Sequence, residues 1–184
     1  MTSESAPVVA LRGMTRADLK DVLRWRLAPH VARWFDTRGP ATMAEVEARY
    51  GPRIDGDEPT RMWVVEANGR SVGMLQDYLI SDHPEFAVLT PDPAAIGVDY
   101  LVGEPAWLRR GIGTGMLRRW FSVARAGYPG ATTYFAAPDH RNVASRQLLV
   151  RVGFAEGAWF DEPKPDGSVA TLVGHSLAVT TVLG

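Results

Sequence analysis

The chain predicts an α/β (α+β) fold, a mixed, mostly antiparallel central sheet of about seven strands flanked by helices, and three observations carry that prediction. Short apolar runs of strand length are interleaved with stretches whose apolar residues recur at helical spacing. Asn68-Gly69 stands between the apolar runs 62–65 and 71–75, a strong signal for an antiparallel hairpin. The run ending Asp99-Tyr100-Leu101-Val102 passes through Trp107-Leu108-Arg109-Arg110-Gly111-Ile112-Gly113 into a helical stripe, so an apolar strand feeds a basic glycine turn and a helix. With 184 residues, the chain is long enough to bury one core without metal or disulfide support. We expect residues 1–6 to form a short disordered tail and residues 7–184 a single domain.

Val8-Val9-Ala10-Leu11 reads as the first strand. Thr15 and Asp18 have capping-box spacing and open a helix with Leu19, Val22, Leu23 and Leu27 on one face. A second helix is expected over 31–35 and a third over 42–50, where Thr42 and Glu45 repeat the capping-box spacing; Gly39-Pro40 separates them. After a polar loop at 55–59 come the two hairpin strands. Residues 81–93, rich in acids and proline, form a surface loop before a strand over 95–102. From Thr114, residues Met116, Leu117, Trp120, Phe121 and Ala124 make an apolar helical stripe, and its aromatics belong in the core. Residues 132–136 supply another strand and 143–152 a helix ended by Gly153. The stretch 163–167 is a turn between two closing strands.

Composition narrows the chemistry. There is no cysteine, which excludes disulfides, thiolate nucleophiles and cysteine zinc sites, and fits a reducing cytoplasm. A formal net charge of −1 without a long basic run argues against nucleic acid or an anionic membrane as partner. No stretch has the length of a membrane span, and the first seven residues lack the apolar core of a signal peptide, so a cytoplasmic protein is expected. His30, His83, His140 and His175 show no metal-ligand spacing, and no metal is expected. Monomer and homodimer both stay open.

The basic glycine turn carries the sharpest signal. Glycines at 111 and 113 let main-chain N–H groups approach phosphate oxygens, the helix start adds partial positive charge, and Arg109 and Arg110 add full charges. The functional reading is a pyrophosphate cradle; the plain one is a tight turn with two solvated arginines. The segment resembles the acetyl-CoA-binding core of the GNAT superfamily of N-acetyltransferases. Its signature, Arg/Gln-x-x-Gly-x-Gly/Ala, is filled by residues 108–113, with Leu108 where the family has Arg or Gln. Asn142-Val143-Ala144-Ser145, running on to Gly153-Phe154, is similar to the family's Asn-x-x-Ala/Ser helix. The resemblance implies acetyl-CoA as co-substrate and a splay between the strand before the cradle and its neighbour. It implies pyrophosphate on Arg109, Arg110, Gly111, Ile112, Gly113 and Thr114. The pantetheine arm would run along main-chain groups of Leu101 and Val102, with Asn142 and Ser145 on its side. Acyl transfer would then proceed by direct attack, a main-chain N–H stabilising the oxyanion.

Attack needs a neutral amine, whereas an alkyl ammonium is largely protonated near pH 7, so a general base is required. Asp99 is the candidate, acting directly or through water, because a carboxylate within the apolar run 95–102 needs a partner or a cavity. The family's tyrosine seven residues after the asparagine is Leu149 here; Tyr100, Tyr134 and Ser145 are the hydroxyls available in its place.

Beyond the core, the chain is similar to aminoglycoside 6′-N-acetyltransferases through Leu11-Arg12-Gly13-Met14-Thr15, Trp34-Phe35, Gly73-Met74-Leu75-Gln76-Asp77-Tyr78, Ile96-Gly97-Val98-Asp99 and Pro165-Asp166-Gly167. This implies a small polycationic amine as acceptor, most directly an aminoglycoside 6′-amine, and with it antibiotic resistance. Asp99 would be the base and Trp34, Gln76 and Asp166 would line the acceptor pocket. Carboxylates suit a polycation on physical grounds as well, and the loop before Asp99 offers Asp82, Glu85 and Asp92. Ala137 replaces a family aspartate, and Phe86 is the aromatic of the acidic loop. Two other readings stay open. One is a siderophore-type lysine N-acyltransferase with Gly97, Ala136 and Ala137 in a roomier acyl slot. The other is a non-catalytic coenzyme A-binding sensor, motivated by Leu108 and Leu149.

Overall fold

Seven strands form one sheet in the order β1-β2-β3-β4-β5-β7-β6. They are β1 (Val9–Gly13), β2 (Thr60–Ala67), β3 (Arg70–Leu79), β4 (Ile96–Val102), β5 (Thr133–Ala136), β6 (Ala155–Pro163) and β7 (Val169–Ala178). Neighbours are antiparallel except β4 and β5, which is the mixed sheet the sequence predicts. The computed structural model describes residues 6–35, 39–83, 92–164 and 166–183. Most of the proposed tail, the acidic-loop residues Glu85 and Phe86, and Pro165 lie outside the described residues.

Strand alternation sorts the helices onto two faces. Met62, Val64, Met74 and Leu101 point to one face and bury Leu19, Val22 and Trp25 of α1 (Leu19–Leu27) with Val46 and Tyr50 of α3 (Met43–Asp55). Val65, Leu75, Ile96 and Val98 point to the other and meet Met116, Leu117, Trp120 and Phe121 of α4 (Ile112–Gly127) and Leu149 of α5 (Val143–Arg151). The expected apolar stripe of α4 is therefore core.

Local chemistry moves several element boundaries. The Thr15–Asp18 capping box forms, but it spans a single 3-10 turn, Arg16–Asp18, before α1 begins. Asp18 is also gripped by Arg12 (2.9 and 2.8 Å), which holds its carboxyl down at about 2. The helix expected over 31–35 is instead α2 (Pro29–Ala32): Pro29 follows an extended Ala28 and starts the helix early, leaving Trp34 and Phe35 in the turn beyond it. Thr42 caps α3 as expected, and the helix runs on to Asp55, where Gly56 turns left-handed (φ 85°). The hairpin turn at Asn68 (φ 49°) and Gly69 (φ 76°) is as predicted.

Two features of β4 position the site. It pairs with β3 along its whole length, yet with β5 only at Ile96↔Tyr134 and Gly97↔Phe135. Beyond Gly97 the strands part, and Val98 to Val102 have no strand partner on that edge among the described residues. On the opposite edge a Cβ at Gly73 would lie 2.2 Å from the Leu101 carbonyl oxygen, so only glycine lets β3 approach β4 there.

Beneath this lies Asp77, fully buried on β3. Its carboxylate accepts from Arg61 (Nε 2.7 Å, Nη2 2.8 Å), Trp120 Nε1 (2.7 Å) and the Tyr128 hydroxyl (3.3 Å), tying β2 and β3 to α4. Asp77→Ala strands the Arg61 guanidinium and the Trp120 indole N–H without their acceptor. We expect a loss of about 3 kcal/mol in urea unfolding; a loss under about 1 kcal/mol, the scale of a surface pair, contradicts this role for the carboxylate.

Candidate active site

Asp99 projects from β4 on the face covered by α1 and α3, two residues past the last β4–β5 pair. Its register partner on β3 is Gln76, whose Nε2 donates to Asp99 Oδ2 at 2.7 Å. Gln76 Oε1 accepts from Arg53 Nη1 (2.8 Å), and Arg53 Nε donates to Glu58 (3.0 Å). This chain, Glu58 to Arg53 to Gln76 to Asp99, fixes the amide orientation and with it the carboxylate rotamer. The Tyr78 hydroxyl also bonds to Asp99. Solvent reaches Asp99, yet the protein mass around it raises its pKa through desolvation. The bonds from Gln76 and Tyr78 and the charges of Arg49 and Arg53 oppose that rise without cancelling it. A carboxylate that water can reach but does not fully solvate is a suitable proton acceptor.

The glycine turn adopts unusual backbone geometry. Arg109 (φ 60°) and Gly111 (φ 79°) are both left-handed, and Gly111 is the N-cap of α4. A Cβ at Gly111 would meet nothing within 4 Å, so the dihedral, not crowding, demands glycine and leaves open space in front of the helix. The first helical bond runs from Gly115 N–H to Gly111 O (3.0 Å). The N–H groups of Ile112, Gly113 and Thr114 therefore lack intrahelical partners. Arg109, Arg110 and Leu108 are exposed around this helix start. The α4 turn begins two residues earlier than the stripe from Thr114 suggests, because Gly111 supplies the N-cap. A strained arginine beside an anion-accepting helix end suits a pyrophosphate.

The remaining expected residues fall in three groups. Gln76 is joined to Asp99, as described. Leu101 is buried under α1 and α3, so only its main chain can serve a ligand, and the Val102 carbonyl accepts from His30 Nε2 at 2.9 Å. Asn142 caps α5, its Oδ1 accepting from Ser145 N–H (3.2 Å), while the Ser145 hydroxyl lies 2.7 Å from that of Tyr100. Leu149 is fully buried and chemically inert; the Tyr134 hydroxyl is committed to the Phe121 carbonyl (3.3 Å). Of the three hydroxyls considered, Tyr100 and Ser145 are thus the pair on the α4–α5 face of β4, and burial pushes the Tyr100 hydroxyl up and keeps it protonated.

The expected acceptor-pocket residues are spread over three loops. Trp34 lies in the turn after α2 with Arg33 over its ring, Asp82 is exposed on the 3-10 turn Ile80–Asp82, and Asp166 turns the β6–β7 hairpin by accepting from Ser168. Asp92 accepts from the Thr132 hydroxyl (2.6 Å) and from the Ala94 N–H (3.0 Å). Sequence reasoning missed Arg53 and Tyr78 as Asp99 partners. The 3-residue spacing of Tyr50 and Arg53 on a helix face was the available signal, but their facing partner on β3 is invisible in one dimension.

Residues 14–162 match the family described as acetyltransferase (GNAT) domain. The chain belongs to the GNAT acetyltransferase family. It is an acetyl-CoA-dependent N-acetyltransferase of that type. The GNAT chain is 24% identical over 175 residues to aminoglycoside N(6′)-acetyltransferase type 1 of Klebsiella pneumoniae, covering 94% of this chain and 86% of that protein. It is 25% identical over 153 residues to lysine N-acyltransferase MbtK of Mycobacterium tuberculosis, covering 80% and 69%. In structure it superposes on aminoglycoside acetyltransferase AAC(6′)-Ib in complex with coenzyme A and kanamycin with a TM-score of 0.75, over 90% and 93% of the two chains at 24% identity. Acetyl-CoA fits the residues present: the cradle offers unpaired N–H groups and arginines, and the β4 edge is open beside it. Among the described residues no group of acids and histidines is arranged to hold a metal, and no helix is long and apolar enough to cross a membrane.

The raised pKa of Asp99 has a stability consequence of defined sign. A carboxyl that binds its proton more tightly when folded favours the fold below the unfolded-state aspartate value, and that contribution is lost as pH rises through the folded value. Asp99→Asn removes the penalty. The variant should therefore melt above the parent at pH 7, with the gap closing as pH falls toward about 3; a pH-independent gap in differential scanning calorimetry contradicts the desolvated carboxylate.

Proposed function

We propose that this acetyltransferase, acting through residues 7–184 as one domain, moves an acetyl group from acetyl-CoA to a primary amine with Asp99 as general base. The 6′-amine of an aminoglycoside is the acceptor its similarity favours. The observation that supports the reading is the Arg53–Gln76–Asp99 chain, which orients the Asp99 carboxylate two residues past the last β4–β5 pair. On this reading the enzyme works in the cytoplasm and aminoglycoside resistance is the phenotype it confers.

The amine enters on the α1–α3 face, where Asp99 takes its proton directly or through one water. Its nitrogen forms a bond to the thioester carbonyl carbon, and the carbon–sulfur bond breaks. The coenzyme leaves as the thiolate, a good leaving group near neutral pH, or takes its proton from water. Leu149 has no part in this. Thr114 and the N–H groups of Gly111, Ile112 and Gly113, with Arg109 and Arg110, hold the pyrophosphate. Main-chain groups of Leu101 and Val102 and the side chains of Asn142 and Ser145 flank the pantetheine. Trp34, Asp82 and Asp166 are assigned to the acceptor, Gln76 to orienting the base.

Acetyl-CoA-dependent thiol release should be saturable with kanamycin or tobramycin, and Asp99→Asn should lower kcat roughly 100-fold or more at pH 7 without raising the acetyl-CoA KM. Coenzyme binding without thiol release from any amine would instead support a coenzyme A sensor. Arg109→Glu with Arg110→Glu should raise the acetyl-CoA KM about 10-fold while the acceptor KM holds; an unchanged KM removes the pyrophosphate from this turn.

A further inference from the structure

His30 takes no part in the acetyl transfer steps, yet it touches main chain assigned to the coenzyme arm. Its Nε2 lies 2.9 Å from the Val102 carbonyl oxygen, and because a carbonyl only accepts, Nε2 carries the hydrogen. The Gly103 N–H donates to the Val72 carbonyl (2.8 Å), so Gly103 faces β3. By strand alternation the polar main-chain groups of Tyr100 and Val102 face the opposite edge, the one that β5 does not cover. Among the described residues, His30 is the one side chain that hydrogen-bonds to that edge of β4.

His30 reaches the edge from the acceptor face, since its neighbour Val31 is buried with Trp25 and Leu101 on that side of the sheet. The end of β4 is fastened there without it. The Trp25 indole packs on Gly103, where a Cβ would collide with the ring, and its Nε1 donates to Glu104 (2.8 Å). The imidazole is thus additional to that anchor, and it fills the acceptor that a strand added beside β4 would use. The cradle lies elsewhere: it starts α4, which packs on the other face of the sheet. An arm that follows the edge and ends at the cradle has to leave the strand line after Val102.

We propose that His30 is a positioning residue for the coenzyme: by filling the Val102 carbonyl from the acceptor face, it ends the strand-like pairing of the pantetheine arm there and turns the arm toward the start of α4. This rests on the acetyl transfer and coenzyme placement proposed above and adds what fixes the register of the arm. The arm carries two amides in series. The one nearer the sulfur lies beside Tyr100, about 7 Å along the edge from Val102, and the second meets the carbonyl that His30 caps. Stopping the arm there sets the thioester carbonyl beside Asp99, where a misplacement of about 1 Å costs on the order of 100-fold in rate.

The test compares two acetyl donors that both lack the pyrophosphate. Acetyl-pantetheine has both amides, and S-acetyl-N-acetylcysteamine ends after the first. In thiol release with kanamycin, His30→Ala should lower the ratio of their kcat values, longer donor over shorter, at least about 10-fold, because the arm then pairs past Val102. His30→Gln, whose amide keeps a donor near the Nε2 position, should restore most of that ratio. Equal losses with both donors, or no rescue by glutamine, make His30 a structural contact and overturn the proposal. In nitrogen-15 spectra of the parent protein, the hydrogen on Nε2 should persist at saturating coenzyme A while the ring signals of His30 shift. Loss of that hydrogen, or ring signals that ignore the coenzyme, also overturns it. Thiol release from no amine overturns the acetyl transfer reading instead, and the spectra then decide the role of His30.

Discussion

The fully buried Asp77 carboxylate is the interaction on which the rest of the architecture depends. It gathers donors from β2, α4 and the segment after α4, in a place where each would otherwise be an uncompensated buried group. The helix that begins at the glycine turn is thereby fastened to the middle of the sheet. Because successive side chains of a strand point to opposite faces, the residue before it, Gln76, reaches the other side and orients Asp99. Two adjacent positions of β3 thus fasten α4 and orient the Asp99 carboxylate at once.

The candidate site opens at a gap in hydrogen bonding. The β5 strand pairs with β7 along its whole length but with β4 at only two residue pairs. That leaves one edge of β4 without a strand partner, among the described residues, where Asp99 stands on one face and the Tyr100–Ser145 hydroxyl pair on the other. The same position exacts a stability penalty on a charged Asp99, which is incompletely solvated there. The charges of Arg49 and Arg53, both on α3, reduce the penalty.

Much of this was legible in one dimension because it is local. The Asn68-Gly69 turn, the Thr42 cap, the buried stripe of α4 and the glycine turn before it are each dictated by a few consecutive residues. Asp99 stood out because a carboxylate in an apolar run must be compensated. Errors arose where a short-range signal competed with another. Pro29 started α2 before the apolar residues that suggested it, and the Thr15 box closed only one 3-10 turn. Asp92 of the acidic loop is engaged with Thr132, a partner the loop's composition does not reveal.

By itself the sequence determined the strand and helix inventory, the anion-accepting turn and the presence of a candidate base, since these depend on side-chain periodicity, backbone dihedral preference and residue chemistry. Only the tertiary structure decided what surrounds that base. Gln76 and Asp99 are 23 residues apart and Arg53 is 23 residues before Gln76, and they meet through strand register and helix docking. Whether a charged side chain is compensated, stranded or aimed at a ligand is a property of its neighbours in space, and a linear pattern does not contain them.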